Sequence, residues 1–248
     1  MIHLDLFSGI GGFALAARWA GLHTVQFVEI DPFCQKVLRK NFPGVPIHDD
    51  IRTFRWAGER PFILTGGFPC QDVSSASNKA TGIKGARSGL WTHLCNTIGV
   101  VRPKYALMEN VSMLLSRGLS TVLRDLAEIG YDAEWHIIPA SFVGAFHKRE
   151  RVWILAYPAS ERLQKIKIHS IDITKGSGEK PEQWKQFLPI SGGAYHLDEQ
   201  WEEYQGIVCG DDDGVPPPLD RLKSLGNAIV PQVAYEIVKA IIEAEDIR

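Results

Sequence analysis

The chain has 248 residues, of which 45% are hydrophobic and 23% are charged, a composition ordinary for a globular protein with a substantial core. A formal net charge of −2 excludes a globally basic nucleic-acid binder, so any nucleic-acid surface must be local. The four scattered cysteines form no C-x-x-C pair, and neither a signal peptide nor an apolar run of membrane-spanning length is apparent. We therefore expect a cytoplasmic protein without a metal site or a disulfide framework.

The N-terminal quarter of the chain predicts the start of a doubly wound α/β fold. We predict a strand at 2–7, a glycine loop at 8–12, a helix at 13–19 and a second strand at 24–29. The loop lacks the G-x-G-x-x-G spacing, so a dinucleotide is not specifically indicated. Glu29 stands 20 positions after Gly9, which suits an acid that binds ribose hydroxyls. The alternative is a simple glycine turn with a solvated acid at a strand end.

A helix is predicted over 31–41, with a proline in its first turn, and an apolar run at 62–64 then predicts a buried strand. That strand leads into the sequence Gly-Gly-Phe-Pro-Cys-Gln at 66–71. Pro69 stiffens the turn that carries Cys70, which suits a nucleophile. A lone cysteine is more often a small buried apolar residue, so other motifs must decide.

Residues 72–89 are rich in Ser, Gly, Ala and Asn and have few apolar anchors. A long loop of this kind after a candidate nucleophile is typical of a lid or a binding loop. Its cations, Lys79, Lys84 and Arg87, suit contacts with phosphates. The alternative is a surface loop with ordinary solubilising charges.

The remaining elements of the main fold follow in order. Helices are predicted at 90–101, 114–129 and 231–244, and strands at 105–108, 133–139 and 152–156. Glu109 is predicted at the end of the first of these strands, and Arg149 and Arg151 lie just before the last. In isolation, Glu109 reads as an ordinary strand-end acid and the arginine pair as a solvated surface.

From 158 to 218 the periodicity weakens and turn residues cluster. This stretch has six Lys or Arg against eleven Asp or Glu, a net charge of −5. It is the candidate small domain or insertion. The predicted organisation is therefore a catalytic and cofactor-binding domain over 1–157, a small segment over 158–218, and a return to the main domain over 219–248.

Five sequence blocks resemble those of the DNA cytosine-5 methyltransferases, and they occur in that family's order. The family patterns are F-x-G-x-G-G, P-C-Q, E-N-V, Q-x-R-x-R and a late G-N. The matching stretches are Phe7–Gly12, Pro69–Gln71, Glu109–Val111, His147–Arg151 and Gly226–Asn227. His147 stands where the family usually has Gln, so no role is assigned to that position.

The resemblance implies a Rossmann-like S-adenosylmethionine-dependent methyltransferase fold with a small irregular insert. It also implies methyl transfer to C5 of cytosine in duplex DNA. Cys70 would add to C6 of a flipped cytosine. Glu109 would hold a proton at N3, Arg151 would bind O2, and Arg149 would fix Glu109 and the pocket. The 158–218 segment would read the target sequence, although it is short and acidic for that task.

The resemblance further implies a set of binding residues, with duplex DNA as the partner and no metal. Cofactor binding is assigned to Phe7, Ser8, Gly9, Gly11, Gly12, Glu29, Ile30, Asp50, Ile51, Pro69, Asn227 and Ala228. Nucleic-acid binding is assigned to Gln71, Ser74, Lys79, Lys84 and Arg87. A monomer is expected, and a cognate restriction endonuclease is a further candidate partner.

Three other functions fit parts of the sequence. A tRNA cytosine-5 methyltransferase carries similar blocks, and net charge does not separate it from a DNA enzyme. A catalytically silent regulator would bind cofactor or DNA without turnover, against which the intact Cys70, Glu109 and Arg151 argue. A nicotinamide oxidoreductase would share the first strand, loop and helix but would leave the P-C and E-N-V blocks unexplained.

Overall fold

The computed structural model describes residues 1–69, 89–145, 148–161 and 228–246. The strands of this part of the chain are β1 (Ile2–Leu6), β2 (His23–Val28), β3 (Ile47–His48), β4 (Ile63–Gly67), β5 (Tyr105–Val111), β6 (Tyr131–Pro139) and β7 (Glu150–Pro158). The helices are α1 (Gly12–Trp19), α2 (Pro32–Asn41), α3 (Leu90–Val101), α4 (Leu114–Arg117), α5 (Leu119–Glu128) and α6 (Pro231–Asp246). Short 3₁₀ helices follow β6 and β7 at Ala140–Val143 and Ala159–Glu161.

The strands form one sheet in the order β3-β2-β1-β4-β5-β7-β6. The pairs from β3 to β5 are parallel, whereas β7 runs antiparallel to both β5 and β6. Helices pack on both faces, with α1, α2 and α6 on one side and α3 and α5 on the other. The predicted doubly wound α/β fold is therefore confirmed. The carboxyl ends of β1, β2, β4 and β5 share one edge, where open α/β sheets bind ligands.

The core is continuous through the middle of the sheet, because its parallel strands are covered on both faces. Leu4, Leu6, Leu64 and Leu107 are all fully buried. The predicted amphipathic final helix is confirmed in α6, which buries Val233, Ala234, Ile237, Val238 and Ile241. It packs these residues beside the apolar face of α1.

The predicted proline in the first turn of α2 is confirmed, and the structure adds a cap that was not predicted. Asp31 caps the helix, and its Oδ1 accepts hydrogen bonds from the backbone N–H groups of Phe33, at 2.8 Å, and Cys34, at 3.2 Å. Pro32 occupies the first helical position, where its missing N–H group costs nothing. This cap fixes the direction of the chain directly after Glu29.

Several elements differ from the sequence prediction. The strand expected over 152–156 runs from Glu150 to Pro158, so Arg151 lies within β7 and not before it. β5 continues past Met108 to Val111, because the antiparallel partner β7 keeps pairing with it. The single helix expected over 114–129 is two helices, α4 and α5, which meet at Gly118. The short strand β3, at Ile47–His48, was not predicted; it pairs with the end of β2.

None of the helices in the described ranges is long and apolar enough to cross a membrane. Within the same ranges, no group of three or more His, Cys, Asp or Glu side chains is placed to hold a metal ion. The catalytic domain predicted over 1–157 ends one residue before β7 does. The 158–218 segment lies outside the described residues from 162 onward, so the three-part division stays a prediction.

Candidate active site

The glycine loop connects the end of β1 to α1 and packs directly on α2. A Cβ atom at Gly11, which has a φ of 90°, would stand 2.7 Å from Phe42 Cε2 and 2.9 Å from Leu38 Cδ2. Both the left-handed backbone and the close packing therefore require glycine here. Ser8 is buried at the base of the loop, where its Oγ donates a hydrogen bond to the backbone oxygen of Asp5 at 2.7 Å.

Glu29 holds the glycine loop from the end of β2. Its Oε2 accepts a hydrogen bond from the backbone N–H of Gly9 at 2.6 Å, and its Oε1 accepts one from Asp31 N–H at 2.8 Å. Burial raises the pKa of this carboxyl group, while the two backbone hydrogen bonds lower it. The structure thus brings Gly9 and Glu29 together, as their spacing predicted, and fixes the carboxylate against the loop.

The space around the loop suits an extended polar ligand. Among the described residues, apart from its chain neighbours, no atom lies within 4 Å of the position that a Cβ atom of Gly9 would take. Ile30 is 65% exposed just beyond Glu29, which leaves an apolar side chain available for a flat ring. Gly12 is the first residue of α1, so the N-terminus of this helix adjoins the loop, and the N–H of Ala14 in its first turn donates to Asp5.

Asp50 and Ile51 follow β3 at the same end of the sheet. Ile51 is buried in the core. Asp50 is bound by Arg52, whose Nε lies 2.9 Å from both carboxylate oxygens and whose Nη2 lies 2.5 Å from Oδ2. These hydrogen bonds lower the pKa of Asp50 to about 2. Asp50 is therefore a fixed anion, and its predicted cofactor contact stays a prediction.

A buried polar chain lies beneath the glycine loop, and the sequence analysis missed it. The Nδ1 of His3 lies 2.9 Å from Thr24 Oγ1 and its Nε2 lies 2.8 Å from Thr65 Oγ1, which in turn donates to Asp5 Oδ1 at 2.9 Å. Burial lowers the pKa of His3 to about 3 and raises that of Asp5 well above its usual range. The available signal was the alternation of His3 and Asp5 with leucines in one strand.

Glu109 and Arg151 meet across the antiparallel pair β5 and β7. Glu109 is opposite Trp153 in the strand register, so Arg151 is its diagonal neighbour on the same face. Arg151 Nε lies 3.0 Å from Glu109 Oε1. Glu109 is only 8% exposed, and this burial raises its pKa to about 7 against the opposing charges of Arg151 and Arg149. The sequence analysis assigned Arg151 to O2 of the base and the fixing of Glu109 to Arg149, so this ion pair was not predicted; it depends on the strand pairing.

Arg149 lies just before β7 and contacts a different part of the chain. Its backbone has a φ of 36°, rare for a residue other than glycine, and its Nη2 donates to the backbone oxygen of Ala228 at 2.6 Å. Its charge lowers the pKa of Glu109, but the direct ion pair with that carboxyl group is made by Arg151. The expectation that Arg149 fixes Glu109 stays a prediction. The hydrogen bond to Ala228, predicted as a cofactor residue, was not expected from the sequence.

Asn110 fixes the backbone that leads to Pro69. Its Nδ2 donates to the backbone oxygen of Phe68 at 2.9 Å, and its Oδ1 accepts from the N–H of Val111 at 2.8 Å. Asn110 is 3% exposed, so both groups are satisfied away from water. The sequence analysis quoted this asparagine within the E-N-V block but assigned it no role.

Several predicted site residues lie outside the described part of the chain, and their assignments stay predictions. They are Cys70, Gln71, Ser74, Lys79, Lys84, Arg87 and Asn227, together with the variant position His147.

The chain is similar in sequence to known DNA methyltransferases. The model of the C-5 cytosine-specific DNA methylase family matches residues 1–205. The chain is 40% identical over 163 residues to the type II methyltransferase M2.BsuMI of Bacillus subtilis, covering 62% of this chain and 41% of that protein. It is 31% identical over 225 residues to M.Eco47II of Escherichia coli, covering 79% and 54%. The chain thus spans about half the length of the curated relatives it matches.

The fold is shared with solved methyltransferase structures. S. pombe Dnmt2 superposes with a TM-score of 0.66 at 16% identity, covering 98% of this chain and 99% of that one. A Spodoptera frugiperda DNMT2 mutant superposes with a TM-score of 0.64 at 17% identity, covering 97% and 99%. At such identities the likeness shows the fold alone.

Proposed function

The chain belongs to the C-5 cytosine-specific DNA methylase family, and on that premise we propose that it transfers a methyl group from S-adenosylmethionine to C5 of cytosine in duplex DNA. One observation carries the proposal beyond family membership. Glu109, a buried carboxyl group with a pKa of about 7, is paired with Arg151 at the sheet edge that also holds the glycine loop. A proton-sharing acid beside a guanidinium suits the activation of a pyrimidine ring.

The residues at the glycine loop fit the proposed cofactor. When bound, S-adenosylmethionine supplies an electrophilic methyl group. The ribose hydroxyls would bind Glu29, whose carboxylate already accepts two backbone hydrogen bonds. The open backbone around Gly9 and the N-terminus of α1 would receive the carboxylate end of the molecule. Ile30 and Ile51 would enclose the adenine, with Phe7 and Asp50 beside them. Ser8, Gly11, Gly12, Pro69, Asn227 and Ala228 complete the proposed cofactor set.

The chain's own residues would activate the cytosine. A thiolate at Cys70 adds to C6, which makes C5 nucleophilic and moves negative charge onto N3 and O2 of the ring. Glu109 exists in both protonation states near neutral pH and can share a proton with N3. Arg151 can hydrogen-bond O2 while it remains beside Glu109. C5 would then bond to the methyl group, with S-adenosylhomocysteine as the leaving group. Loss of the C5 proton to water restores the C5–C6 double bond and expels the thiolate, which is a good leaving group.

The target base must leave the duplex before Cys70 can reach C6, so base flipping is part of the proposal. Gln71 and Ser74, with the cations Lys79, Lys84 and Arg87, are proposed to contact the DNA from the loop that follows Cys70. The 158–218 segment is proposed to read the target sequence. The monomeric state, the companion restriction endonuclease and the cytoplasmic location stay predictions.

The test is transfer of a labelled methyl group from S-adenosylmethionine to unmodified duplex DNA of mixed sequence. The parallel substrate is tRNA, and the methylated positions are mapped by cytosine-specific sequencing. Cys70→Ala is expected to reduce transfer by at least ~10³-fold while binding of S-adenosylhomocysteine survives. Cys95→Ala is the matched control, since Cys95 is a buried cysteine on α3 that forms no disulfide.

Methylation of DNA at a recurring cytosine, lost only in the Cys70 variant, would support the proposal. Transfer to tRNA alone would replace duplex DNA as the substrate. Cofactor binding without transfer to either nucleic acid would favour a silent regulator. Turnover that persists in Cys70→Ala would refute the covalent mechanism.

A further inference from the structure

The three residues before α6 lie between the glycine loop and the catalytic carboxyl group. We call Ala228, Ile229 and Val230 the 228–230 segment. A Cβ atom at Gly12 would stand 2.8 Å from Ile229 Cγ1, and one at Gly67 would stand 3.9 Å from Ile229 Cγ2. Ile229 therefore fills space that two glycines leave open, one at the start of α1 and one at the end of β4.

The same glycine at the end of β4 borders the catalytic carboxyl group. A Cβ atom at Gly67 would lie 3.7 Å from Glu109 Oε2. Ile229 and Glu109 thus both border one glycine that has no side chain to separate them. Ile229 is half-buried and packs against the core cluster of α1 and α6. Among the described residues, it is the side chain that shares this glycine with Glu109.

A hydrogen bond anchors the 228–230 segment to the catalytic arginine block. Arg149 Nη2 donates to the backbone oxygen of Ala228 at 2.6 Å. A bond from a guanidinium to a carbonyl is charge-assisted and stronger than one between neutral groups. Arg151, two residues later, forms the direct contact with Glu109. The two arginines therefore divide their tasks between the segment and the carboxyl group.

The 228–230 segment can affect the pKa of Glu109 only through burial, because it brings no charge near that carboxyl group. Among the described residues, the charges that act on it are those of Arg151 and Arg149, and both lower its pKa. On the β4 side the neighbour is the uncharged Gly67, and the 228–230 segment contributes no titratable side chain. The high pKa of Glu109 thus depends on exclusion of water from its surroundings.

We propose that Ile229, held by the Arg149–Ala228 hydrogen bond, is a positioning residue that couples the cofactor loop to the catalytic carboxyl group. It packs against the first residue of α1 on one side and shields Glu109 from water on the other. Cofactor affinity and Glu109 protonation then depend on the same side chain. The catalytic meaning of this coupling rests on the proposed function, but the coupling itself is measurable without turnover.

The experiment compares Ile229→Ala with Ile241→Ala. Ile241 is fully buried on α6 in the same cluster, twelve residues along the chain from Ile229, and its variant removes the same atoms. In each background, the free energy of unfolding is measured from pH 4 to 9 with and without Glu109→Gln. The free energy of unfolding with Glu109 minus that with Glu109→Gln falls as the pH rises and becomes constant above the pKa of Glu109 in the folded protein. The pH at which it becomes constant, the levelling pH, therefore reports that pKa. Binding of S-adenosylhomocysteine is measured by calorimetry.

Ile229→Ala is expected to lower that levelling pH by about one unit, because water reaches the carboxyl group. It is also expected to weaken S-adenosylhomocysteine binding about tenfold, and Ile241→Ala is expected to change neither. Ile229→Val, which removes one methyl group, should give smaller shifts in the same directions and serves if the alanine variant does not fold. An unchanged levelling pH in Ile229→Ala or Ile229→Val would overturn the proposal, even if cofactor binding weakened. Absence of methyl transfer in the wild type would refute the proposed function without affecting these two readouts.

Discussion

Asn110→Ala tests how the backbone before the proposed nucleophile is held. The substitution removes the Nδ2 donor to the Phe68 carbonyl and the Oδ1 acceptor for the Val111 N–H. Phe68 and Asn110 are both 3% exposed, so water does not readily replace the lost partners. A buried polar group without a partner costs about 1–3 kcal/mol. We expect a loss of roughly 2–4 kcal/mol in the free energy of unfolding for the two groups together.

The measurement is urea unfolding at neutral pH, with Asn96→Ala as the matched control. Asn96 is exposed on α3, and its variant is expected to remain within about 0.5 kcal/mol of the wild type. The rate of methyl transfer should fall by about 10²-fold in Asn110→Ala, because Pro69 and Cys70 follow directly from the anchored carbonyl. A stability equal to that of Asn96→Ala would refute the reasoning that the Phe68 carbonyl depends on this side chain.

The other predictions concern protonation, loop geometry and the docking of α6. Relative to Glu109→Gln, the wild type should lose about 3 kcal/mol of stability as the pH rises from about 4.5 to 7, because the folded-state pKa of Glu109 is raised to about 7. Urea unfolding of both proteins across this range measures the loss. A difference in stability that does not change with pH would contradict the burial of this carboxyl group. Gly11→Ala should destabilise the fold by about 2–3 kcal/mol, because backbone strain adds to the clash with α2. Gly9→Ala should cost only about 1 kcal/mol of backbone strain, because the new Cβ atom clashes with none of the described residues. Thermal unfolding ranks the two, and equal losses would exclude the clash. Tyr105→Phe removes a 2.5 Å hydrogen bond to Glu245 on α6 and should lower the free energy of unfolding by about 1 kcal/mol. Faster amide hydrogen exchange in α6 would locate the loss there. Unchanged exchange in α6 would show that this hydrogen bond does not hold the helix.

The sequence predicted the elements whose signals are local. The glycine loop, the proline in the first turn of α2 and the apolar face of α6 all follow from residue types within one or two turns. The end of β5 was wrong because it is set by a non-local partner: β7 pairs as far as Val111, which no pattern near Glu109 shows. The break at Gly118 was missed because the apolar periodicity of 114–129 continues across it.

The candidate site shows the same division between local and non-local information. The roles of Glu109, Arg149 and Arg151 were predicted from the resemblance of their sequence blocks to the family, and they stay predictions. Their contacts could not be predicted, because they depend on the register of an antiparallel pair and on a carbonyl at Ala228. The buried chain from His3 to Asp5 likewise depends on strand neighbours that are distant in sequence. Residue types therefore predicted the reaction, whereas the tertiary pairing determined which groups touch.

The packing of α6 beside α1 has a consequence for how the protein is synthesised. Phe13, Ala16 and Ala17 of α1 are buried in one cluster with a helix that begins only at Pro231. A ribosome releases α1 long before it releases that helix, so the nascent chain exposes this apolar face until more than 200 further residues have been added. Contacts so distant along the chain form late. The glycine loop would accordingly gain its final support only after residues 231–246 have emerged.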